Sequence, residues 1–261
     1  QVASRPYDVL NSEEAQAEAK SNPFSFLHVT KSEIDLPADI NTHSQAVYEK
    51  AKENLLKFIN TDDILFREDK PCYYIYQLVM EGRSQTGLVC ASSVEDYFND
   101  IIKKHEFTRP EKEKDRIDHM QTIRAQTGNV FLAYRDVAEM NTLISDWKKA
   151  NKPVYDFMAD DKISHTIWVI NEDGAIETIT ELFKTKVPCT YIADGHHRAA
   201  SAAKVSKKFP DSPDAQFFLT TIFPSSELVI FDYNRVVKDL DGNTTAEFIG
   251  QLQDDFLITL T

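Results

Sequence analysis

Glycine is scarce in this chain, with seven residues in 261 where average usage would supply about 18. The shortage excludes functions built on glycine-rich phosphate cradles, and neither GxxxxGK[ST] nor GxGxxG occurs. Positive charge is short as well. Lys and Arg number 29 against 42 Asp and Glu, a net charge of −13, so a polyanion meets repulsion except at a local basic patch. The longest lysine clusters are pairs such as Lys103-Lys104 and Lys207-Lys208, too short to track a phosphate backbone, and no nucleic-acid partner is expected. The three cysteines, Cys72, Cys90 and Cys189, are far apart and form no CxxC. They read as buried thiols of a reducing compartment. No run of about 18 apolar residues exists, and Gln1 to Arg5 carries no leader pattern. The expectation is a cytoplasmic protein with no membrane partner. HExxH and GxSxG are both missing. The adjacent His196 and His197 would point apart on a strand, or about 100° apart on a helix, which suits chelation of one ion poorly.

What is present is enough to build a core, since 42% of residues are hydrophobic, and a length of 261 residues suits one large domain or two small ones. The chain stops inside the strand-like run Phe256 to Leu260. The expected organisation is therefore an α+β domain over 1–235 and, over 236–261, the start of a C-terminal segment that is cut short. Periodicity predicts helices over Ser12 to Lys20, Asn41 to Ile59, Ser92 or Ser93 to His105, the charged stretch through Ala125, Ala138 to Lys149, and from His196 to Lys208. It predicts strands at Ser25 to Val29, Val130 to Tyr134, Pro188 to Ala193, Gln216 to Phe223 and Glu227 to Tyr233. Two hairpins are expected: Cys72 to Met80 with Thr86 to Ala91, and Ile163 to Ile170 with Ala175 to Ile179 around Asp173-Gly174. Hairpins mixed with helices point to an α+β fold with a mixed sheet rather than a doubly wound parallel one.

One dense constellation carries chemistry. Asp194-Gly195-His196-His197-Arg198 sits between a strand end and a helix start, where free backbone N–H groups and the positive end of a helix dipole attract an anion. Gly195 permits the tight turn, Asp194 can accept a proton or help hold Mg²⁺, Arg198 offers a bidentate fork, and the two histidines can donate to phosphate oxygens. The plainer reading makes Asp194 a helix cap and the rest a solvated first turn, but cations in a first turn oppose the dipole. A second candidate is Lys104-His105-Glu106-Phe107-Thr108-Arg109, leading into a helix where Asp115, Arg116 and His119 lie within a turn of one another. Glu106 leads there as a general base, with an exposed charged helix as the alternative. A third is the loop Ser4-Arg5-Pro6-Tyr7-Asp8, in which Arg5, Tyr7 and Asp8 could contact a ligand or Arg5 and Asp8 could simply pair.

The run Tyr191 to Arg198, strand then DGHHR then helix, resembles the phosphate-binding motif of the free serine kinases, members of the ParB/sulfiredoxin-like fold. Over nearly its whole length the chain resembles the domain-of-unknown-function family numbered 1015, through Arg5-Pro6-Tyr7-Asp8-Val9, Asn22-Pro23, Ser25 to Val29, Glu33 to Pro37, and His105-Glu106. These resemblances imply a ParB/sulfiredoxin-like core with insertions and a kinase that uses Mg²⁺ with ADP or ATP to phosphorylate free L-serine or a similar hydroxyl compound. Carried over, Glu106 would deprotonate the hydroxyl, Asp194 would orient the acceptor or the metal, and Gly195, His196, His197 and Arg198 would hold phosphates. Thr108, Arg116 and His119, with Arg5, Tyr7 and Asp8, remain contact candidates. The alternative is a nucleotide-binding regulatory module of partition-protein type. A sulfiredoxin-like reductase would need a cysteine at the phosphate loop, and none is there.

Overall fold

A computed structural model describes residues 2–232 and 234–259. Asn11 caps the first helix, α1 (Ser12–Ala19): its side chain accepts from the Glu14 N–H while the Glu14 carboxylate accepts from the Asn11 N–H. The strand expected at Ser25 to Val29 is instead the approach to a one-turn helix, α2 (Leu27–Thr30). The run is short enough to fit either period, and local bonds decide it: the His28 N–H donates to the Ser25 carbonyl and the Val29 N–H to Phe26. In α3 (Gln45–Ile59) the residues at helical spacing, Val47, Ala51, Leu55 and Phe58, are all buried.

Strands β1 (Tyr73–Met80) and β2 (Arg83–Ser93) form the first expected hairpin. Its link is tighter than the sequence suggests, because Glu81 and Gly82, at φ 51° and 79°, close it in two residues. Ser93 caps α4 (Val94–Phe98). That helix ends well before His105, since Asp100 takes φ 57° and the chain enters a short strand, β3 (Ile102–Lys103). Then come α5 (Pro110–Ile123), β4 (Val130–Tyr134), α6 (Ala138–Ala150), β5 (Tyr155–Met158) and β6 (Ser164–Ile170).

The second expected hairpin does not form. Asp173-Gly174 opens a helix, α7 (Asp173–Lys186), where Asp173 suits the positive helix end. Strand β6 pairs backward with β5 instead. Strand β7 (Thr190–Asp194), helix α8 (His196–Lys208) and β8 (Phe217–Pro224) follow as expected. The strand expected over Glu227 to Tyr233 is not found: Glu227 closes a 3₁₀ turn, residues 228–232 have no regular structure, and Tyr233 lies outside the described residues. A capped helix, α9 (Thr245–Leu252), comes later. Of the strand-like run Phe256 to Leu260, residues 257–259 are irregular and Leu260 lies outside the described residues.

The fold is α+β with one mixed sheet of eight strands in the order β3-β7-β4-β8-β2-β1-β6-β5. The β3/β7 and β4/β8 pairs are parallel and the others antiparallel. The main core joins the sheet to α6, α7 and α8 through residues such as Leu132, Met140, Ile170, Ile179 and Ile192. Ala199, Ala202 and Ala203 of α8 lie in it, small side chains that let the helix approach the sheet closely. Smaller clusters hold α1 to α2 and α3 to α5. The chain separates into two compact units between Leu228 and Val229, somewhat earlier than the boundary expected after 235. All eight strands belong to the first unit. The cysteines are unpaired and half-buried rather than fully enclosed, and burial pushes the Cys90 thiol up.

Candidate functional site

Strand β7 enters the core at Ile192 and ends at Asp194, opposite an irregularity in β4 between Phe131 and Leu132. Gly195 then takes φ 92°, a left-handed conformation costly for residues with a Cβ, and the chain turns into α8. No side chain caps that helix. The first helical bond is from the Ala199 N–H to the Gly195 carbonyl at 2.9 Å, so the N–H groups of His196, His197 and Arg198 are those left over at the positive helix end.

Arg198 folds back across the turn. A Cβ on Gly195 would lie 3.3 Å from its guanidinium, and one on Gly128 would lie 3.4 Å from its Cδ, so two glycines clear the space the side chain fills. The guanidinium donates to Asp194 at 2.7 Å and to the Asn129 carbonyl, and lies 3.5 Å from the Asp8 carboxylate. Asp8 and Asp194, far apart in sequence, thus share one cation.

The loop that carries Glu106 is strapped to the same helix head. The His105 N–H donates to His196 Nε2 at 3.5 Å, and the Arg109 N–H donates to His197 Nε2 at 3.0 Å. A ring nitrogen that accepts carries no proton, which places the proton of each neutral imidazole on Nδ1. In His196 that nitrogen is 3.4 Å from Glu106 Oε2, and the His105 ring stands edge-on at 4.4 Å. Burial first, then His105, pulls the His196 pKa down, which favours the neutral ring, with Nδ1 beside the Glu106 carboxylate. Glu106 itself is more than half exposed.

Behind the loop, Thr108 donates to Glu113, a buried carboxylate that also pairs with Lys204 of α8. Burial pushes Glu113 up, but the Lys204 and Thr108 hydrogen bonds outweigh it and hold the carboxyl below the usual range. On the other side of the turn Arg116 stacks on the Tyr7 ring at 4.3 Å and pairs with Asp115. Burial raises the Tyr7 hydroxyl, partly offset by Arg116 and Arg198. A cavity of about 30 Å³, water-sized, lies between Tyr7, Arg116, His119 and Arg198.

Of the residues expected from the sequence, Glu106, Thr108, Asp8, Tyr7 and Asp194 through Arg198 gather around the head of α8, and Arg116 joins them through Tyr7. His119 lines the small cavity, but its Nε2 donates to the Val29 carbonyl and the ring is buried. Arg5 stands apart and pairs with Glu18 at 2.6 Å rather than with Asp8. Sequence reading placed His105 in the Glu106 loop but missed Glu113, Asn129 and Lys204. Glu113 lies four residues before buried Ile117, so helical spacing would have placed it on the inner face of α5. Among the described residues no group of three or more His, Cys, Asp or Glu is placed to share a metal ion, and no helix is long and apolar enough to cross a membrane.

These features define a class: a mixed α+β domain in which a strand, a single glycine and an uncapped helix head are met by charged side chains from two other loops, those of Asp8 and Glu106. The chain matches the family described as Protein of unknown function (DUF1015) over residues 1–260, and it belongs to that family. No curated protein and no solved structure matches it.

Proposed function

We propose that the chain is a cytoplasmic, nucleotide-dependent small-molecule kinase on a ParB/sulfiredoxin-like core, moving a phosphoryl group from ADP or ATP to the hydroxyl of free L-serine or a similar metabolite. The observation that carries this reading is the meeting of Glu106 with the DGHHR turn: a carboxylate, held 3.4 Å from His196, stands beside an uncapped helix head and an arginine. Phosphoryl transfer asks mainly for positioning and charge stabilisation, and those groups supply both.

In this reading the N–H groups of residues 196–198, the free Nδ1–H of His197 and the Arg198 fork bind phosphate oxygens. Glu106, beside His196 Nδ1, takes the proton of the acceptor hydroxyl as its oxygen bonds to phosphorus and the bond to the departing nucleotide breaks. Arg198 must trade Asp8 and Asp194 for phosphate, which releases two carboxylates. Their chemistry fits Mg²⁺, which commonly takes one or two protein carboxylates along with substrate phosphates. When bound, the ion would neutralise phosphate charge.

The test is transfer of label from ADP or ATP, with Mg²⁺, to a panel of hydroxy amino acids. Glu106→Gln should lower turnover about 100-fold or more with the nucleotide Kd unchanged, whereas Arg198→Ala should weaken nucleotide binding about tenfold or more. Equal loss of binding in both variants would contradict the assigned roles. Nucleotide binding with no acceptor phosphorylated would replace the kinase with the regulatory module.

A further inference from the structure

A second cavity lies at the opposite end of α8 from the phosphate-binding turn. Its volume is about 640 Å³, within the range of small-ligand sites. Its apolar walls come from Met120 of α5, Phe209 just after α8, and Phe217 and Phe218 at the start of β8. The backbone on one side is already satisfied, because the Gln126 carboxamide donates to the Phe217 carbonyl and accepts from the Leu219 N–H, both at 2.8 Å.

Two charged side chains line the same cavity from different elements. Arg124, the residue that ends α5, lays its guanidinium 4.3 Å over the Phe209 ring. Asp214 sits on the 3₁₀ turn Pro213–Gln216. Both are exposed, and among the described residues neither makes an ion pair. An anion alone would suit Arg124 and be opposed by Asp214. A cation alone would meet the reverse conflict. A zwitterion satisfies both, and the aromatic walls require an apolar body between or beside its charges.

The geometry points to a second ligand site here for a free α-amino acid with a large apolar or aromatic side chain, its carboxylate on Arg124, its ammonium on Asp214 and its side chain against Phe209, Phe217 and Phe218. The cavity shares only Met120 and Gln126 with the small cavity beside the head of α8, and the assignment does not depend on what binds at that head.

Calorimetric titration of the intact chain with L-phenylalanine, phenylacetate and phenethylamine tests this directly. L-Phenylalanine should bind at least tenfold more tightly than either single-charge analogue. Arg124→Gln should weaken L-phenylalanine about tenfold and leave phenethylamine unchanged, while Asp214→Asn should weaken L-phenylalanine and leave phenylacetate unchanged. Both positions are exposed, so circular dichroism should show the variants folded. Failure of L-phenylalanine to bind at millimolar concentration, equal binding of all three compounds, or variants that leave the L-phenylalanine affinity unmoved would each overturn the assignment.

Discussion

His119 follows Asp115 and Arg116 by one turn, where the sequence offers it as a ligand contact. The fold gives it a different task. It is buried, its Nε2–H is spent on the Val29 carbonyl, and its ring packs edge-on to Tyr48. Burial first, and the Arg116 charge second, lower its pKa to about 4. A histidine held neutral in the native state but free to protonate on unfolding near pH 6.5 gives stability that is complete above that pH. The contribution is lost as pH falls from about 6.5 to about 4, because only the unfolded chain binds the proton in that window. At about 1.4 kcal/mol per unit the loss is on the order of 3 kcal/mol. His119→Gln keeps a donor for Val29 and cannot titrate there. Urea unfolding at pH 7, 5.5 and 4.5 should show a clearly flatter stability profile for this variant, and an unchanged profile would place the acid sensitivity elsewhere. Such a role depends on depth, and one residue type at one spacing does not reveal depth.

At the scale of elements, α5 and α8 matter most, because their clasp holds the Glu106 loop over the head of α8. Lys204 pairs with the Glu113 carboxylate while Ser201 donates to the Glu113 carbonyl at 3.2 Å. Lys204→Met would leave a buried carboxylate with only Thr108, costing about 2 kcal/mol. Adding Glu113→Gln removes the stranded charge, so the double variant should be more stable than the lysine variant alone by chemical denaturation. Additive losses would mean the pair is not coupled. Both helices were legible from the sequence, α8 almost to the residue, because a glycine before it and an alanine-rich stripe within it are local signals. The first hairpin and β4 were legible for the same reason. What failed were short apolar runs that fit two periods. Residues 25–29 and 175–179 read as strands, and what decides otherwise is local bonding and a helix-start residue together with packing, against Ile34 and Ala19 for the first and the β1/β6 layer for the second. The DGHHR turn was visible as a motif, whereas the pairing of Asp8 with Arg198 joins loops nearly two hundred positions apart and leaves no sequence spacing to read.

For the whole molecule, the net charge of −13 and the hydrogen-bond donors at the α8 head act on different length scales. Under the proposed function, a nucleotide approaching from solvent would meet the summed negative field first. The attraction of Arg198 and the free N–H groups takes over only within hydrogen-bonding distance, where salt screens it less. The Debye length shrinks from about 30 Å at 0.01 M salt to about 8 Å at 0.15 M, so added salt removes the long-range repulsion before it weakens the local contacts. Association of ADP measured by stopped flow should therefore quicken severalfold over that range, with the dissociation rate changing less. That trend is the reverse of the one expected for a protein that steers polyanions through a broad basic surface. If association instead slows as salt is added, the local field of the helix head reaches into solvent and the acidic surface lies away from the path of entry.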